Sequence, residues 1–375
     1  MKVVLAFDSF KGTLSALDAC KSVQRGILSV NPDSEVVICP MADGGEGTIK
    51  ALMAARGGEW IQQRVMGPLP DRRVHAGFAW FADDRTAAVE MAEASGITLL
   101  RSSELNPMRT TTYGTGELMR AAVERGARRI ILAIGGSATV DGGIGAAMAL
   151  GWTFLTATGE PVGFGGEALQ HIQTVQPGPE LGIPVDVLCD VANPLTGPKG
   201  AAAVFGPQKG ATPEMVQQLD EGLRHWAAIA RDQLGVEIET IPGAGAAGGL
   251  GAGMMACASA TLVPGIDTVM TVSRLDEKLT GADWVLSGEG RFDESSLGGK
   301  VVSGILSSAK QAGVRMGVLA GSMQVEEQVV ANAGIEVAMA AAAPEKSFEE
   351  IQRTASSDLE QAAVKFAQTY LQEGA

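Results

Sequence analysis

The feature that most constrains the fold is a repeated pattern in which a short apolar run is followed by a loop of glycines and charged residues and then by a helical stretch. Residues 3–7 (VVLAF) and 35–39 (EVVIC) have the length of buried strands, and residues 284–287 begin the same pattern near the other end of the chain. Strand, loop and helix in succession predict parallel strands joined by right-handed crossovers. We therefore expect an α/β protein whose loops share one edge of a parallel sheet.

The middle of the chain has a different pattern. Residues 74–82 and 86–91 have the composition of two strands joined by the turn Asp83-Asp84, which predicts antiparallel pairing. Residues 236–241 are expected to be extended as well. A change of this kind between two similar ends indicates one domain inserted into another.

We accordingly predict two α/β domains. Residues 1–68 plus 270–375 form a discontinuous domain with a parallel sheet, and residues 69–269 form an inserted mixed α/β domain. Because ligands of such proteins bind preferentially at domain interfaces, the cleft between the domains is the expected site.

Composition and charge exclude several classes of protein. The formal net charge of −14 argues against a nucleic-acid binder, since no basic face is available to displace phosphate counterions. No apolar run approaches the roughly 20 residues that a membrane helix needs. The first strand follows Met1 without the shape of a signal peptide, and the four cysteines lack metal-binding or paired spacing. We expect a soluble, cytoplasmic protein, whose oligomeric state, monomer or homodimer, stays open.

Charged residues follow three predicted strands of the parallel sheet. They are Asp8, Lys11, Asp43, Glu46, Glu289, Asp293 and Lys300. Any one of these loops could be a solvated turn, but together they suit a magnesium-phosphate site, because Mg²⁺ takes carboxylate and phosphate oxygens together and phosphoryl transfer needs little covalent help from the protein.

The expected roles follow from charge and placement. Glu289, Asp293 and Asp43 are candidate Mg²⁺ ligands, with Asp8 nearby. Lys11 and Lys300 are candidates to neutralise phosphate. Close approach of phosphates to the backbone is expected at the glycines of these loops, which are Gly44, Gly45, Gly288 and Gly290.

The predicted inserted domain carries candidate groups for binding a carboxylate or a phosphate. Arg109, Thr110 and Thr111 precede a helix and can bind an anion, or they can form an ordinary threonine-rich cap. Ser137 lies between glycines after a predicted strand, where close approach of a ligand explains the glycines and a closely packed helix explains them nearly as well.

Asp190 ends a further predicted strand and is followed by Asn193. It is the candidate base for a substrate hydroxyl, and an Asx-turn is the structural alternative.

Residues 243–248 satisfy G-x-G-x-x-G, but Pro242 interrupts the preceding run, so the match is weak. An NAD(P)-dependent hydroxy-acid dehydrogenase and a two-domain small-acid binding protein therefore stay as alternatives.

Several long motifs resemble those of the bacterial type 1 glycerate kinase family over essentially the whole chain. They are DSFKGTLSA (8–16), PMADGGEGT (40–48), RTTTYGTGEL (109–118), IGGSATVDGGIG (134–145), CDVANPL (189–195), FGPQKGA (205–211) and GEGRFDESSLGGK (288–300). The resemblance implies ATP- and Mg²⁺-dependent phosphorylation of D-glycerate in glyoxylate or sugar-acid breakdown, and it favours 2-phosphoglycerate over 3-phosphoglycerate as the product. It also implies two α/β domains, one of them Rossmann-like.

Overall fold

The structure, a computed structural model, describes residues 1–45, 47–298, 301–343 and 345–371. The strands are β1 (Lys2–Phe7), β2 (Glu35–Ile38), β3 (Glu59–Met66), β4 (Arg73–Phe81), β5 (Thr86–Glu90), β6 (Arg129–Ala133), β7 (Thr153–Leu155), β8 (Thr174–Gln176), β9 (Val185–Leu188), β10 (Thr261–Val263), β11 (Trp284–Gly288), β12 (Arg291–Asp293), β13 (Arg315–Ala320), β14 (Ser322–Gln324) and β15 (Val337–Ala340).

The α-helices are α1 (Ala16–Val30), α2 (Thr48–Arg56), α3 (Ala92–Ser95), α4 (Tyr113–Glu124), α5 (Ile144–Ala149), α6 (Ala201–Phe205), α7 (Pro213–Ile229), α8 (Leu250–Ala258), α9 (Gly265–Val272), α10 (Leu275–Leu279), α11 (Val301–Ala312), α12 (Glu327–Ala333) and α13 (Phe348–Tyr370). Within the described ranges, none of the helices combines the length and the apolar character needed to cross a membrane. The cytoplasmic location stays a prediction.

The chain divides into two compact units. Unit 1 comprises Met1–Asp43, Lys50–Gly57 and Ile266–Ala375, and unit 2 comprises Gly44–Ile49 and Gly58–Gly265. Each unit contains one large sheet, and the domain boundaries given above stay a prediction.

Unit 1 is built on a parallel sheet with the strand order β15-β13-β11-β1-β2. The predicted parallel pairing is confirmed, since β1 pairs with β2 on one side and with β11 on the other. Helix α1 begins at the cap Ser15, whose hydroxyl accepts from the Asp18 N–H. The apolar face of α1 and the side chain of Phe366 in α13 are buried against the sheet, where the Trp284 ring lies edge-on to Phe366 at 5.0 Å.

Unit 2 is built on a mixed sheet with the order β10-β9-β6-β5-β4-β3. Strands β5, β6, β9 and β10 are parallel, whereas β3, β4 and β5 are antiparallel. The predicted antiparallel pair on either side of Asp83-Asp84 is therefore confirmed. The α/β class, with one parallel and one mixed sheet, is confirmed as well.

Two elements differ from expectation. Strand β3 was not predicted, because it is an edge strand whose polar residues alternate with half-buried ones and give no continuous apolar run. Residues 236–241 were expected to be extended, yet they form no strand. The Glu239 carbonyl accepts a hydrogen bond from the Leu195 N–H, which lies in another loop. The segment therefore packs against that loop and is not part of a β-sheet.

Candidate functional site

The strand order of unit 1 reverses between β1 and β11, since the chain adds β2 on one side of β1 and β11, β13 and β15 on the other. In open α/β sheets, ligands bind outside the carboxyl ends of the strands at such a reversal. The loop after β1 carries Asp8 and Lys11, and the loop after β11 carries Glu289. The fold therefore brings together at this edge charged residues that are about 280 positions apart in the sequence.

Asp8 is a buried carboxyl group at this edge. Its residue is 9% exposed, and burial together with the nearby charges of Asp43 and Glu289 raises its pKa to about 7. The Ser9 N–H, which donates to its Oδ1 at 2.6 Å, and the charge of Lys11 act in the opposite direction. Asp8 is thus poised to gain or lose a proton near neutral pH, which is typical of functional sites.

Lys11 and Asp43 form an ion pair at this edge. The Lys11 Nζ lies 3.8 Å from the Asp43 Oδ2, and 83% of the lysine side chain and 41% of the aspartate side chain are exposed. At such exposure the pair contributes little to stability. Both side chains are therefore partly or largely exposed to solvent at this edge.

Gly288 allows β11 to approach a neighbouring backbone closely, whereas a Cβ atom on Gly290 would make only ordinary contact with Phe10, at 3.5 Å. A Cβ atom on Gly288 would lie 1.9 Å from the Leu319 carbonyl oxygen, so no side chain fits there. The Gly288 carbonyl accepts from the Asp8 N–H at 3.0 Å, and the Gly290 carbonyl accepts from Ser322. These glycines fix the acidic loop relative to β1, and their predicted contact with phosphate stays a prediction.

Asp293 has a structural role in the same loop. Its Oδ1 accepts from the Ser295 N–H at 2.9 Å and from the Ser295 hydroxyl, while its Oδ2 lies 3.2 Å from the Arg291 Nε. This is a cap for the short 3₁₀ helix Glu294–Leu297. The cap explains an aspartate here without a metal, and metal binding by Asp293 stays a prediction.

The donor set of this edge fits an ion that arrives with its ligand. Within the described residues, no three His, Cys, Asp or Glu side chains are grouped so as to hold a metal ion by themselves. Even so, Asp43 and Glu289 are close enough to Asp8 to raise its pKa. Mg²⁺ in phosphate-binding sites takes one or two carboxylates and completes its shell with phosphate oxygens and water. Lys300 and Glu46, also predicted for this chemistry, lie outside the described residues.

In unit 2, Gly44 and Gly45 lie beside the carboxyl end of β9. Gly44 has a φ of +89°, and a Cβ atom there would lie 2.9 Å from the Leu188 Cβ. The Gly45 carbonyl accepts from the Thr48 hydroxyl at 2.7 Å. The buried Glu90, at the end of β5, accepts from the Gly47 N–H at 2.9 Å. The carboxylate therefore anchors this glycine loop at the sheet edge.

The loop after β6 contains a fully buried carboxylate. Asp141 accepts at Oδ2 from the Thr112 N–H at 2.7 Å and its hydroxyl at 2.9 Å, and at Oδ1 from the Gly143 N–H at 3.1 Å. Burial raises the pKa of Asp141, and these hydrogen bonds oppose the shift. Asp141 thereby joins the loop after β6 to the start of α4.

Arg109 is exposed, whereas the two threonines that follow it are fully buried. The Thr110 hydroxyl donates to the Ala138 carbonyl at 2.8 Å, and the Thr111 hydroxyl donates to Asp141 at 3.3 Å. Both hydroxyls are thus used inside the fold. Of the three residues predicted to bind an acid, the structure exposes Arg109 and uses Thr110 and Thr111 to hold the segment beside Ser137.

Asp190 follows β9 and is exposed. Its Oδ1 accepts from the Gly265 N–H at 2.8 Å, which holds the carboxylate at the sheet edge. Asn193 has a tethering role, because its side-chain amide donates to the Lys199 carbonyl at 2.8 Å. The parallel pairing of β6 and β9 places the loops of Ser137 and Asp190 side by side.

Comparisons with known proteins agree along the whole chain. The sequence pattern of the glycerate kinase family matches residues 3–371. A glycerate kinase from Halalkalibacterium halodurans is 43% identical over 97% of both chains, and a glycerate 2-kinase from Escherichia coli K12 is 42% identical over 90% of this chain and 89% of its own. A crystal structure of a Salmonella typhimurium LT2 protein, provisionally named glycerate kinase 2, is 38% identical, covers 98% of both chains and superposes with a TM-score of 0.88.

The chain belongs to the glycerate kinase family. This confirms the resemblance inferred from the motifs, and it confirms the predicted class of enzyme, a phosphotransferase that acts on an alcohol group.

The weak G-x-G-x-x-G match has a structural explanation in this family member. Gly243 and Gly245 donate backbone N–H groups to the Asn193 carbonyl, and a Cβ atom on Gly248 would lie 2.0 Å from the Thr139 carbonyl oxygen. These glycines therefore pack loops together.

Three buried charged residues among those described, Asp141, Glu90 and Lys209, were not predicted as site residues. Glu90 anchors the glycine loop, as described above. Lys209, in the motif FGPQKGA, is 1% exposed and donates to the Ser137 hydroxyl at 2.6 Å. The signal for Lys209 was a lone lysine between glycines, which local periodicity cannot distinguish from a surface turn.

Proposed function

We propose that this member of the glycerate kinase family transfers the γ-phosphoryl group of ATP to a hydroxyl of D-glycerate, giving ADP and 2-phosphoglycerate. The observation that carries the proposal is the charged cluster of Asp8, Lys11, Asp43 and Glu289 at the strand reversal of unit 1, in a chain whose family match runs from residue 3 to residue 371. Phosphoryl transfer depends mainly on positioning and on neutralising charge, and this edge supplies groups for both.

In this proposal, the edge of unit 1 handles the phosphates. Lys11 neutralises phosphate oxygens, and Lys300 is proposed to do the same. Asp43 and Glu289 would hold Mg²⁺, with Asp8 beside them, and the ion when bound would neutralise charge on the phosphates. Asp293 keeps the loop in shape through its contacts with Ser295 and Arg291, and its predicted role as a ligand is the weakest of the set.

The edge of unit 2 handles the acceptor in the same proposal. Asp190, held by the Gly265 N–H, takes the proton of the attacking hydroxyl. The guanidinium of Arg109 and the hydroxyl of Ser137 bind the carboxylate of glycerate, because a fork of N–H donors matches a carboxylate. Thr110, Thr111 and Asn193 act by holding these loops.

The choice of 2-phosphoglycerate is supported by a relative. The Escherichia coli protein that is 42% identical is named glycerate 2-kinase. By this product, the enzyme would feed glyoxylate or sugar-acid breakdown into central metabolism.

The deciding experiment is incubation of the purified protein with D-glycerate, ATP and MgCl₂, followed by ³¹P NMR to separate 2-phosphoglycerate from 3-phosphoglycerate. We expect 2-phosphoglycerate and a stoichiometric amount of ADP. Reactions without D-glycerate, or with EDTA in place of MgCl₂, are the controls and should give neither product. The absence of any phosphorylated glycerate would overturn the proposal, and 3-phosphoglycerate alone would overturn the assigned position.

A further inference from the structure

Lys209 is a lysine inside unit 2. Its residue is 1% exposed, and its Nζ donates to the Ser137 hydroxyl at 2.6 Å and to the Thr139 carbonyl at 2.7 Å. Lysine is among the residues least often fully buried, because its charge loses hydration. An apolar side chain of similar volume would fill this place at lower cost. The position therefore calls for an explanation other than packing.

Among the described residues, Asp141 is the carboxylate that acts on Lys209, and it has its own hydrogen-bond donors. Asp141 attracts the ammonium charge, yet its oxygens accept from Thr112 and Gly143. Burial lowers the pKa of Lys209 to about 7, with Asp141 acting in the opposite direction. The described contacts of the lysine are thus directed at one hydroxyl and one carbonyl, not at a partner carboxylate.

The contact with Lys209 determines where the hydroxyl proton of Ser137 points. A lysine ammonium has only donors, so the Ser137 oxygen must accept from it, and the hydroxyl proton must then point away from Lys209. Ser137 is 9% exposed and lies in the loop that follows β6. The adjacent Ala138 carbonyl accepts from the Thr110 hydroxyl at 2.8 Å, which holds that loop beside the segment of Arg109.

We propose that Lys209 is a positioning residue: by donating to Ser137 it makes that hydroxyl a donor to the carboxylate of the hydroxy-acid substrate. This inference rests on the proposed function, and it names the group that prepares unit 2 for an anion. Lys209 acts through Ser137, because the lysine itself is enclosed.

This contact couples substrate binding to protonation of Lys209. A neutral lysine amine has a lone pair and can accept from Ser137, which would turn the hydroxyl proton inward. Binding of a carboxylate favours the outward proton and therefore the charged lysine. With Asp141 as the other titratable group that acts on Lys209, binding of D-glycerate slightly above neutral pH should take up part of a proton.

The first test is a double-mutant cycle with Lys209→Met, Ser137→Ala and the double variant. Each single change should raise KM for D-glycerate about 10- to 100-fold, since a charge-assisted hydrogen bond is removed. The double variant should resemble the single ones, because the two residues act as one unit. KM for ATP should stay within about twofold of the original value. Lys199→Met and Ser103→Ala change exposed residues of unit 2 and serve as matched controls.

The second test measures proton uptake by calorimetric titration with D-glycerate at about pH 7.5 in two buffers of different ionisation enthalpy. The unchanged protein should take up part of a proton, and Ser137→Ala and Lys209→Met should not. If Lys209→Met fails to fold, the proton uptake measured with Ser137→Ala still tests the inference. Independent, additive effects in the cycle, or equal proton uptake in all variants, would overturn the inference while phosphorylation by the unchanged protein stands. Absence of phosphorylation by the unchanged protein would overturn the proposed function itself.

Discussion

The carboxyl edges of the two large sheets place charge in opposite ways. In unit 1, Lys11 and Asp43 form a 3.8 Å pair that is largely exposed. In unit 2, Lys209 and Asp141 are buried and held by hydrogen bonds from or to neighbouring loops. Exposed charges can follow a mobile ligand but are screened by water and salt, whereas buried ones keep a fixed geometry in a low dielectric.

The two sheet edges therefore suit different parts of one phosphoryl-transfer reaction. A mobile, highly charged phosphate chain suits the exposed charges of unit 1. A small acid whose hydroxyl must be aimed suits the fixed donors of unit 2. If the division holds, changes in unit 1 alter the response to ATP, and changes in unit 2 alter the response to D-glycerate.

The largest effect is expected for Asp190→Asn in unit 2. Because the amide cannot take the proton of the acceptor hydroxyl, kcat should fall about 10²- to 10⁴-fold. KM for ATP should change little, which steady-state kinetics with each substrate varied in turn will show. Asp71→Asn replaces an exposed aspartate of unit 2 and is the control. Undiminished turnover in a folded Asp190→Asn protein would remove Asp190 from the role of base.

The next largest effect is on stability, through Asp8 in unit 1. Its folded-state pKa of about 7 lies above the ordinary value of 3.8, so the folded protein keeps this proton to a higher pH than the unfolded chain. The free energy of unfolding should therefore fall as pH rises from about 4 to about 7, by at most about 4 kcal/mol. Asp8→Asn removes this loss and should be the more stable protein above pH 7.

Urea unfolding at several pH values in the presence of EDTA measures the effect of Asp8 without divalent cations. Asp33→Asn, an exposed change in the same unit, should show the pH dependence of the unchanged protein. A parallel pH profile for Asp8→Asn and the unchanged protein would contradict the electrostatic account. A gain in stability with a loss of turnover would mark Asp8 as kept for function.

The parts of this fold that sequence predicts are those determined by local pattern. The strands of residues 3–7 and 284–287 were recognisable, because a continuous apolar run is visible in a short window. Parallel pairing of these strands then placed Asp8 and Glu289 at one edge. Edge strand β3 lacks such a run and was missed.

The parts that sequence does not predict depend on contacts between distant residues. Lys209 meets Ser137 across 72 positions, and Glu90 meets the Gly47 N–H across 43. No local pattern tells that a lysine between glycines will be enclosed. Thr110 and Thr111 were candidates to bind an anion or to form a helix cap, and their hydroxyls donate to the Ala138 carbonyl and the Asp141 carboxylate, 28 and 30 positions away.

A smaller effect is expected for Lys11→Ala in unit 1. Removal of an exposed cation should raise KM for ATP about tenfold and leave KM for D-glycerate nearly unchanged. Because exposed charges are screened, KM for ATP of the unchanged protein should rise with added salt, and the variant should respond less. Lys21→Ala, on the exposed side of α1, is the matched control. A change in the D-glycerate parameters alone would break the assignment of phosphate to unit 1.

The smallest effect separates a cap from a metal ligand at Asp293. If its main task is to accept from Ser295, Asp293→Asn should keep stability and most activity, because asparagine caps as well as aspartate, while Asp293→Ala should lose about 1 kcal/mol. If the carboxylate holds Mg²⁺, both changes should raise the Mg²⁺ concentration needed for half-maximal turnover. Thermal unfolding and a Mg²⁺ titration of turnover, made on both variants, therefore decide whether Asp293 belongs to the charged cluster of unit 1 or only to the loop that carries it.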